Sequence, residues 1–151
     1  MATSTRPLPM KLKDAFALAL TRVHRLFFTV SKGRVSGQMF GLPVIELVTV
    51  GRRSGKERST MLTVPVVDGD QLVLVASYGG DDRHPAWYLN LRARPEVRVT
   101  MAGTTRAMAA RTATDEERAT LWPRITAHYS GYAAYQKRTD RQIPVVVLEP
   151  R

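Results

Sequence analysis

Residues 59–78, STMLTVPVVDGDQLVLVASY, decide the fold. Apolar and β-branched residues crowd both halves, and Asp68–Gly69 interrupts them. Asp-Gly between two such runs signals a hairpin, because the turn that matches strand twist needs positive φ. The stretch reads as two antiparallel strands. Working outward, VIELVTV at 44–50 is a further strand on the N-terminal side. On the C-terminal side, EVRVTMAGTTRAMAART at 96–112 reads as a second hairpin turning near Ala102–Gly103. IPVVVLEP at 143–150 is apolar throughout its strand portion, which places it centrally. Consecutive hairpins favour an antiparallel sheet over βαβ units. A sheet of about six strands with an apolar closing strand can dispose of its edges by curling into a small barrel.

Helical patterns flank these strands. In the segment that starts KLKDAFALAL at Lys11, the residues Leu12, Phe16, Leu20, Val23, Phe27 and Val30 recur at spacings of three and four. The amphipathic helix expected over 11–30 has a basic side of Lys11, Lys13, Arg22, His24 and Arg25. Such a helix either covers a sheet or lies on an anionic membrane surface. HPAWYLNLRARP at 84–95 reads as a short helix with Pro85 in its first turn. TATDEERATLWPRITAHY begins another, with Thr114 as N-cap and Glu117 completing a capping box. Pro123 is expected to kink or break that helix. GYAAYQKRTD at 131–140 is a last short helix. Residues 1–10, polar with Pro7 and Pro9, read as a disordered tail, and 11–151 as one domain.

Lysine and arginine number 23 against 13 acidic residues, a net charge of +10 in 151 residues. The excess points to an anionic partner or, more plainly, to solubility. Without cysteine there is no disulfide, catalytic thiolate or cysteine-held metal, and a cytoplasmic location is expected. His24, His84 and His128 fit no zinc-binding spacing, so no metal is expected. No apolar run is long enough to span a bilayer.

The charge is concentrated in GRRSGKERSTML at 51–62, where Arg52, Arg53, Lys56 and Arg58 oppose only Glu57. Backbone N–H groups near Gly51 and Gly55 can form an anion-binding concavity, and guanidinium groups match phosphate or carboxylate oxygens. The alternative is a solvated loop. ASYGG at 76–80 follows a strand directly, so Ser77 and the Gly79–Gly80 backbone either approach a ligand or make a plain turn. Trp87 on its short helix suits a core. Tyr129, Tyr132 and Tyr135, three apart, fall roughly on one helix face, where they line a pocket or edge a core. No Walker motif, Ser-His-Asp order or G-x-G-x-x-G pattern is present. If the chain is an enzyme, a bound cofactor carries the chemistry.

Four stretches together resemble the deazaflavin-dependent nitroreductase family, flavin/deazaflavin oxidoreductases of actinobacteria. They are LVTVGRRSGKERSTML, VLVASYGGDDRHPAWYLNLRARPEVRV, ATDEERATLWP and YSGYAAYQKRTDRQIPVVVLEP, and they extend from about Pro43 to Pro150. The resemblance implies a split β-barrel, mainly β with flanking helices. It implies coenzyme F420 as cofactor, with its phosphate and acidic tail received by Arg52, Arg53, Ser54, Gly55 and Arg58. Met61 and Leu62 are expected beside the deazaflavin ring, with Ser77, Tyr78, Gly79 and Gly80 as a second binding stretch and Trp87 and Tyr88 as a third. Tyr132 first, then Tyr129, Tyr135 and Ser77, are expected on the acceptor side as hydrogen-bond donors. Thr63 and Tyr78 depart from the pattern, where some members carry an aromatic residue and a lysine.

The implied activity is hydride transfer from reduced coenzyme F420 to a small electron-poor acceptor, namely a quinone, an activated enone or a nitroaromatic. Two rivals stand beside it. One is an FMN- or haem-binding split barrel, and the other a basic module for membrane or nucleic acid. The expected partners are the small-molecule acceptor and no nucleic acid. Peripheral contact with the inner face of the cell membrane through residues 11–30, and a homodimer, stay open.

Overall fold

Residues 38, 39 and 41–151 are described in a computed structural model of the chain. The tail expected at 1–10 and the helix expected at 11–30 lie outside them. The strands are β1 Gln38–Met39, β2 Leu42–Val50, β3 Glu57–Thr63, β4 Val66–Asp68, β5 Gln71–Val75, β6 Glu96–Met101, β7 Thr104–Thr112 and β8 Val145–Pro150. The helices are α1 Ala86–Ala93, α2 Asp115–His128 and α3 Gly131–Lys137, with a 3-10 turn at Tyr78–Gly80.

The strands form one antiparallel sheet in the spatial order β3-β2-β6-β7-β8-β5-β4, with β1 also on β2. β3 and β4 stand at opposite edges of this order, yet only Val64 and Pro65 separate them. The Val64 N–H still donates to Pro43 O at 2.8 Å, and Pro65, which has no N–H, ends that ladder. Beyond it, β4 pairs with β5. One kinked strand therefore bonds to both edges, and the sheet closes on itself as a split barrel. The count exceeds the expected six because Pro65 divides this strand and because the two-residue β1 is added.

Both hairpins form, the second at the turn the sequence marks. Ala102 and Gly103 have φ of 49° and 81°, the two positive values a type I′ turn needs. In the first hairpin Asp68 pairs with Gln71, so the turn residues are Gly69 and Asp70, one position later than expected. Of the two, only Gly69 has positive φ.

β8 is central, between β7 and β5, as its composition requires. Its side chains alternate between two cores. Val146 and Leu148 join Ile45, Leu47, Leu72, Leu74, Val97, Val99 and Met108 inside the barrel, where Tyr88 and Leu91 of α1 also pack. Val145 packs outward with Val73, Val75, Ile125, Tyr132 and Ile143, beneath α2 and α3. The helices thus cover one outer face and one end of the barrel.

α2 begins as expected. The Thr114 hydroxyl accepts from the Glu117 N–H at 3.2 Å, and the Glu117 carboxylate accepts from the Thr114 N–H at 3.0 Å. The expected break at Pro123 does not occur, and the helix continues to His128. Pro123 removes a single intrahelical donor, while Ile125 two residues on is fully buried and keeps the helix on the sheet.

Candidate functional site

A cleft of about 1100 Å³ opens between the β2–β3 loop, β3, the Ser77–Asp81 turn and the start of α1. Arg58, Ser59, Thr60, Met61 and Leu62 all line it. Side chains of a strand alternate between faces, so five consecutive lining residues mean that the cleft runs along the strand's edge. The ladder parity agrees. Val64 and Gly51 both donate across the β2–β3 pair, to Pro43 and Lys56, which fixes the even-numbered β3 residues as those bonded to β2. The backbone N–H and C=O groups of Ser59 and Met61 therefore point off the edge, where no described strand pairs with them.

At the mouth stands the basic loop. Gly55 N–H donates to Gly51 O at 2.8 Å and Gly55 has φ of 70°, which makes the turn tight. A Cβ on Gly51 would lie 2.7 Å from Ser54 Oγ, so that hydroxyl is folded over Gly51, and it accepts from the Lys56 N–H at 3.2 Å. Glu57, the loop's single acid, is turned away. Arg98 of β6 holds it through two bonds of 3.0 Å, which lower its carboxyl pKa below the usual range. Among the described residues no carboxylate lies in ion-pair range of Arg52, Arg53, Lys56 or Arg58. Asp81, the one acid lining the cleft, is held by Arg83 at 3.0 Å and stays ionised below its ordinary pKa. The cleft thus carries a positive field that its own acids leave standing.

Asn90 of α1 escaped the sequence reading. It is buried, and its Oδ1 accepts from the Arg52 backbone N–H at 3.1 Å and from Arg52 Nη1 at 3.3 Å. Its Nδ2 donates to the buried Thr49 Oγ1 at 3.2 Å. Asn90 thereby ties the basic loop to α1. The available signal was a lone amide within the apolar run WYLNL. Arg138 also lines the cleft, donating to Gly79 O at 3.2 Å, and nothing in its local sequence marked it.

Of the expected cofactor residues, Arg52, Arg53, Ser54, Arg58, Met61, Leu62, Ser77, Tyr78, Gly79, Gly80 and Trp87 come together around this cleft. Gly55 shapes the loop without lining the cleft. Tyr88 lies in the barrel core, its hydroxyl 2.9 Å from Thr112 Oγ1, one position round the helix from Trp87. The three C-terminal tyrosines gather as one cluster, with ring centroids 5.2, 6.1 and 6.4 Å apart in edge-on contact. They are not among the residues that line the cleft. The Tyr132 hydroxyl, 2.6 Å from Thr63 Oγ1, adjoins the Leu62 end of it. Burial raises the Tyr132 pKa, and the hydrogen bond with Tyr129, then burial, push Tyr135 up to about 12, so both stay protonated at neutral pH.

Comparison with known proteins decides the family. A family profile described as F420H(2)-dependent quinone reductase matches residues 20–150. The chain belongs to the F420H(2)-dependent quinone reductase family. An F420H(2)-dependent quinone reductase of Mycobacterium tuberculosis is 37% identical over 144 residues, covering 93% of this chain and 96% of that protein. Among solved structures, an F420-H2 dependent reductase superimposes with a TM-score of 0.65 at 39% identity, covering 71% of this chain and 94% of that one. A domain-swapped dimer superimposes with a TM-score of 0.66 at 34% identity, covering 85% and 97%. The family's shared split barrel is the fold derived above from the β3–β4 closure.

Proposed function

We propose that this protein is an oxidoreductase that passes a hydride from reduced coenzyme F420 to an electron-poor small molecule, a quinone foremost. One observation carries the reading. The family's anionic cofactor matches a cleft lined by Arg52, Arg53 and Arg58, with Lys56 on the same loop, and among the described residues no acid lies in ion-pair range of these four cations. The donor chemistry fits the group. Arg53 and Arg58 supply forked donors for phosphate and carboxylate oxygens. Met61, Leu62 and Trp87 supply an apolar wall for a flat ring, and the Ser59 and Met61 backbone groups on the open β3 edge supply hydrogen bonds to its polar rim. A haem- or FMN-binding barrel has less use for four loop cations.

When bound, reduced coenzyme F420 supplies the two electrons and the hydrogen. The chain's own task is to bind, orient and exclude water. An acceptor that gains hydride builds negative charge on oxygen, which a neutral hydroxyl stabilises. The Tyr132–Thr63 pair, kept protonated by burial, is the donor assigned to that oxygen, with Tyr129 and Tyr135 holding the Tyr132 ring and Ser77 a second donor across the cleft.

Among the described residues no helix is long and apolar enough to cross a membrane. The basic face over 11–30 supports peripheral contact with an anionic membrane from the cytoplasmic side, where a lipid-soluble quinone would be met. A homodimer is the assembly that the solved relative's dimer supports. The test is oxidation of reduced coenzyme F420, followed by absorbance, with quinone, enone and nitroaromatic acceptors, free and in anionic vesicles. Quinone-dependent oxidation and co-sedimentation with the vesicles are expected. No turnover with any acceptor would refute the activity, and protein left in the supernatant would refute the membrane contact.

A further inference from the structure

The turn between β5 and α1 has an unusual backbone. Tyr78, Gly79 and Gly80 have φ of 46°, 65° and 84° in succession, and a tyrosine in the left-handed region persists only where its surroundings force it. Two internal bonds, from Gly80 N–H to Ser77 O and from Asp81 N–H to Tyr78 O, are too few to hold three such residues. Two side chains add to them: Arg138 donates to Gly79 O at 3.2 Å, and Arg141 makes the larger set. Arg141 donates through Nη2 to Ala76 O at 3.2 Å and Ser77 O at 2.9 Å, and through Nε to Asp81 O at 2.8 Å. Its Nη1 lies 3.2 Å from His84 Nδ1.

Arg141 is itself fixed. Its N–H donates to Thr139 Oγ1, its carbonyl accepts from Gln136 Nε2 at 2.7 Å, and Thr139 Oγ1 donates to Asp82 Oδ1 at 2.8 Å. The turn packs closely on α3, since a Cβ on Gly80 would lie 2.6 Å from Tyr135 O.

We propose that Arg141 is a positioning residue for cofactor binding, gripping the carbonyl side of the Ser77–Gly80 turn so that the Ser77 and Gly79 N–H groups serve an anionic ligand atom in the cleft, and that neutral His84 locks the grip. The proposal rests on the coenzyme F420 reading above. The lock follows from hydrogen-bond chemistry. A guanidinium can only donate, so His84 Nδ1 accepts from it only without a proton. Protonation sets donor against donor and charge against charge.

The surroundings favour the neutral ring. Burial first, then the charges of Arg141 and Arg92, lower the His84 pKa, while Asp81 and Asp82 face Arg141 and the Tyr88 ring packs on His84. A group depressed in the folded state contributes its stabilisation above its ordinary pKa and loses it as pH falls through the folded value. The turn therefore loosens on the acid side of neutrality.

Two readouts test this. The first is amide hydrogen exchange of Gly80 and Asp81 in the protein alone, as protection relative to intrinsic rates across the acid-to-neutral range. In the wild type, protection falls with acid. In His84→Asn, whose amide oxygen accepts without titrating, protection stays level. In Arg141→Lys it drops by about tenfold at every pH while the 96–112 hairpin is unchanged. The second is affinity for oxidised coenzyme F420 by quenching of tryptophan fluorescence. Arg141→Lys should weaken it by about tenfold with kcat at saturating cofactor nearly kept, and His84→Asn should abolish the additional acid weakening of the wild type. Unchanged protection in Arg141→Lys, or identical pH profiles in wild type and His84→Asn, would overturn the proposal. If exchange behaves as stated while no variant binds the cofactor, the positioning role in binding falls with the functional reading, and Arg141 is left as a clamp on the turn alone.

Discussion

At the scale of single residues, the site depends on polar groups whose partners are far away in sequence. Asn90 meets Arg52 across 38 positions, and Tyr132 meets Thr63 across 69. The Tyr132–Thr63 pair gives a direct prediction. Tyr132→Phe keeps the ring and its edge-on neighbours and removes only the hydroxyl. Turnover should fall by about 100- to 1000-fold, the usual range for a lost proton donor or oxyanion partner, while cofactor affinity is unchanged. Stability should fall by about 1 kcal/mol, because Thr63 loses its partner. Steady-state kinetics with saturating quinone check this, and full activity on every acceptor would remove Tyr132 from the mechanism. The residues the sequence reading missed share one trait. Asn90, Arg138 and Arg141 act through contacts that exist only once α1, α3 and the barrel have docked, and no local pattern encodes such contacts.

At the scale of elements, local rules served well where local physics dominates. The capping box at Thr114–Glu117 and the type I′ turn at Ala102–Gly103 were legible because each is settled within four residues. Pro123 does not end α2, because tertiary burial of Ile125 outweighs one missing helix donor. The box also supports a prediction. Glu117 caps α2 and bonds Arg111 at 2.6 and 2.9 Å, and those Arg111 bonds, then the Thr114 N–H, hold its pKa at about 2. Its carboxylate is stabilising above the ordinary value near 4.5 and loses that effect as pH falls toward 2. Glu117→Ala should cost about 1 kcal/mol at neutral pH, a figure set by the cap because the ion pair is about one-third exposed and screened. Urea denaturation should show the gap between wild type and variant narrowing as the solution is acidified. A gap independent of pH would show that the carboxylate charge plays no part.

At the scale of the whole molecule, the antiparallel sheet and its central closing strand were readable from hairpin signals and from the apolar run at 145–148. Curling into a barrel was expected too, but the strand that closes it was not legible. That strand changes partners at Val64–Pro65, and a proline inside an apolar run reads equally as an edge or an interruption. Closure places the edge of β3, the basic loop, the Ser77–Asp81 turn and α1 around one cleft, and this gathers three separate sequence motifs. The uncompensated charge of that site is the centre of the account. Exposed cations screened by salt contribute little to folding, so their expected use is an anionic ligand.

The most direct measurement is the affinity of coenzyme F420 for wild type and for the double variant Arg53→Gln, Arg58→Gln over a range of salt concentrations. Affinity at least about tenfold weaker is expected in the double variant at low salt, with a shallower dependence on ionic strength. Equal affinity and equal salt dependence in the two proteins would contradict that use of the charge.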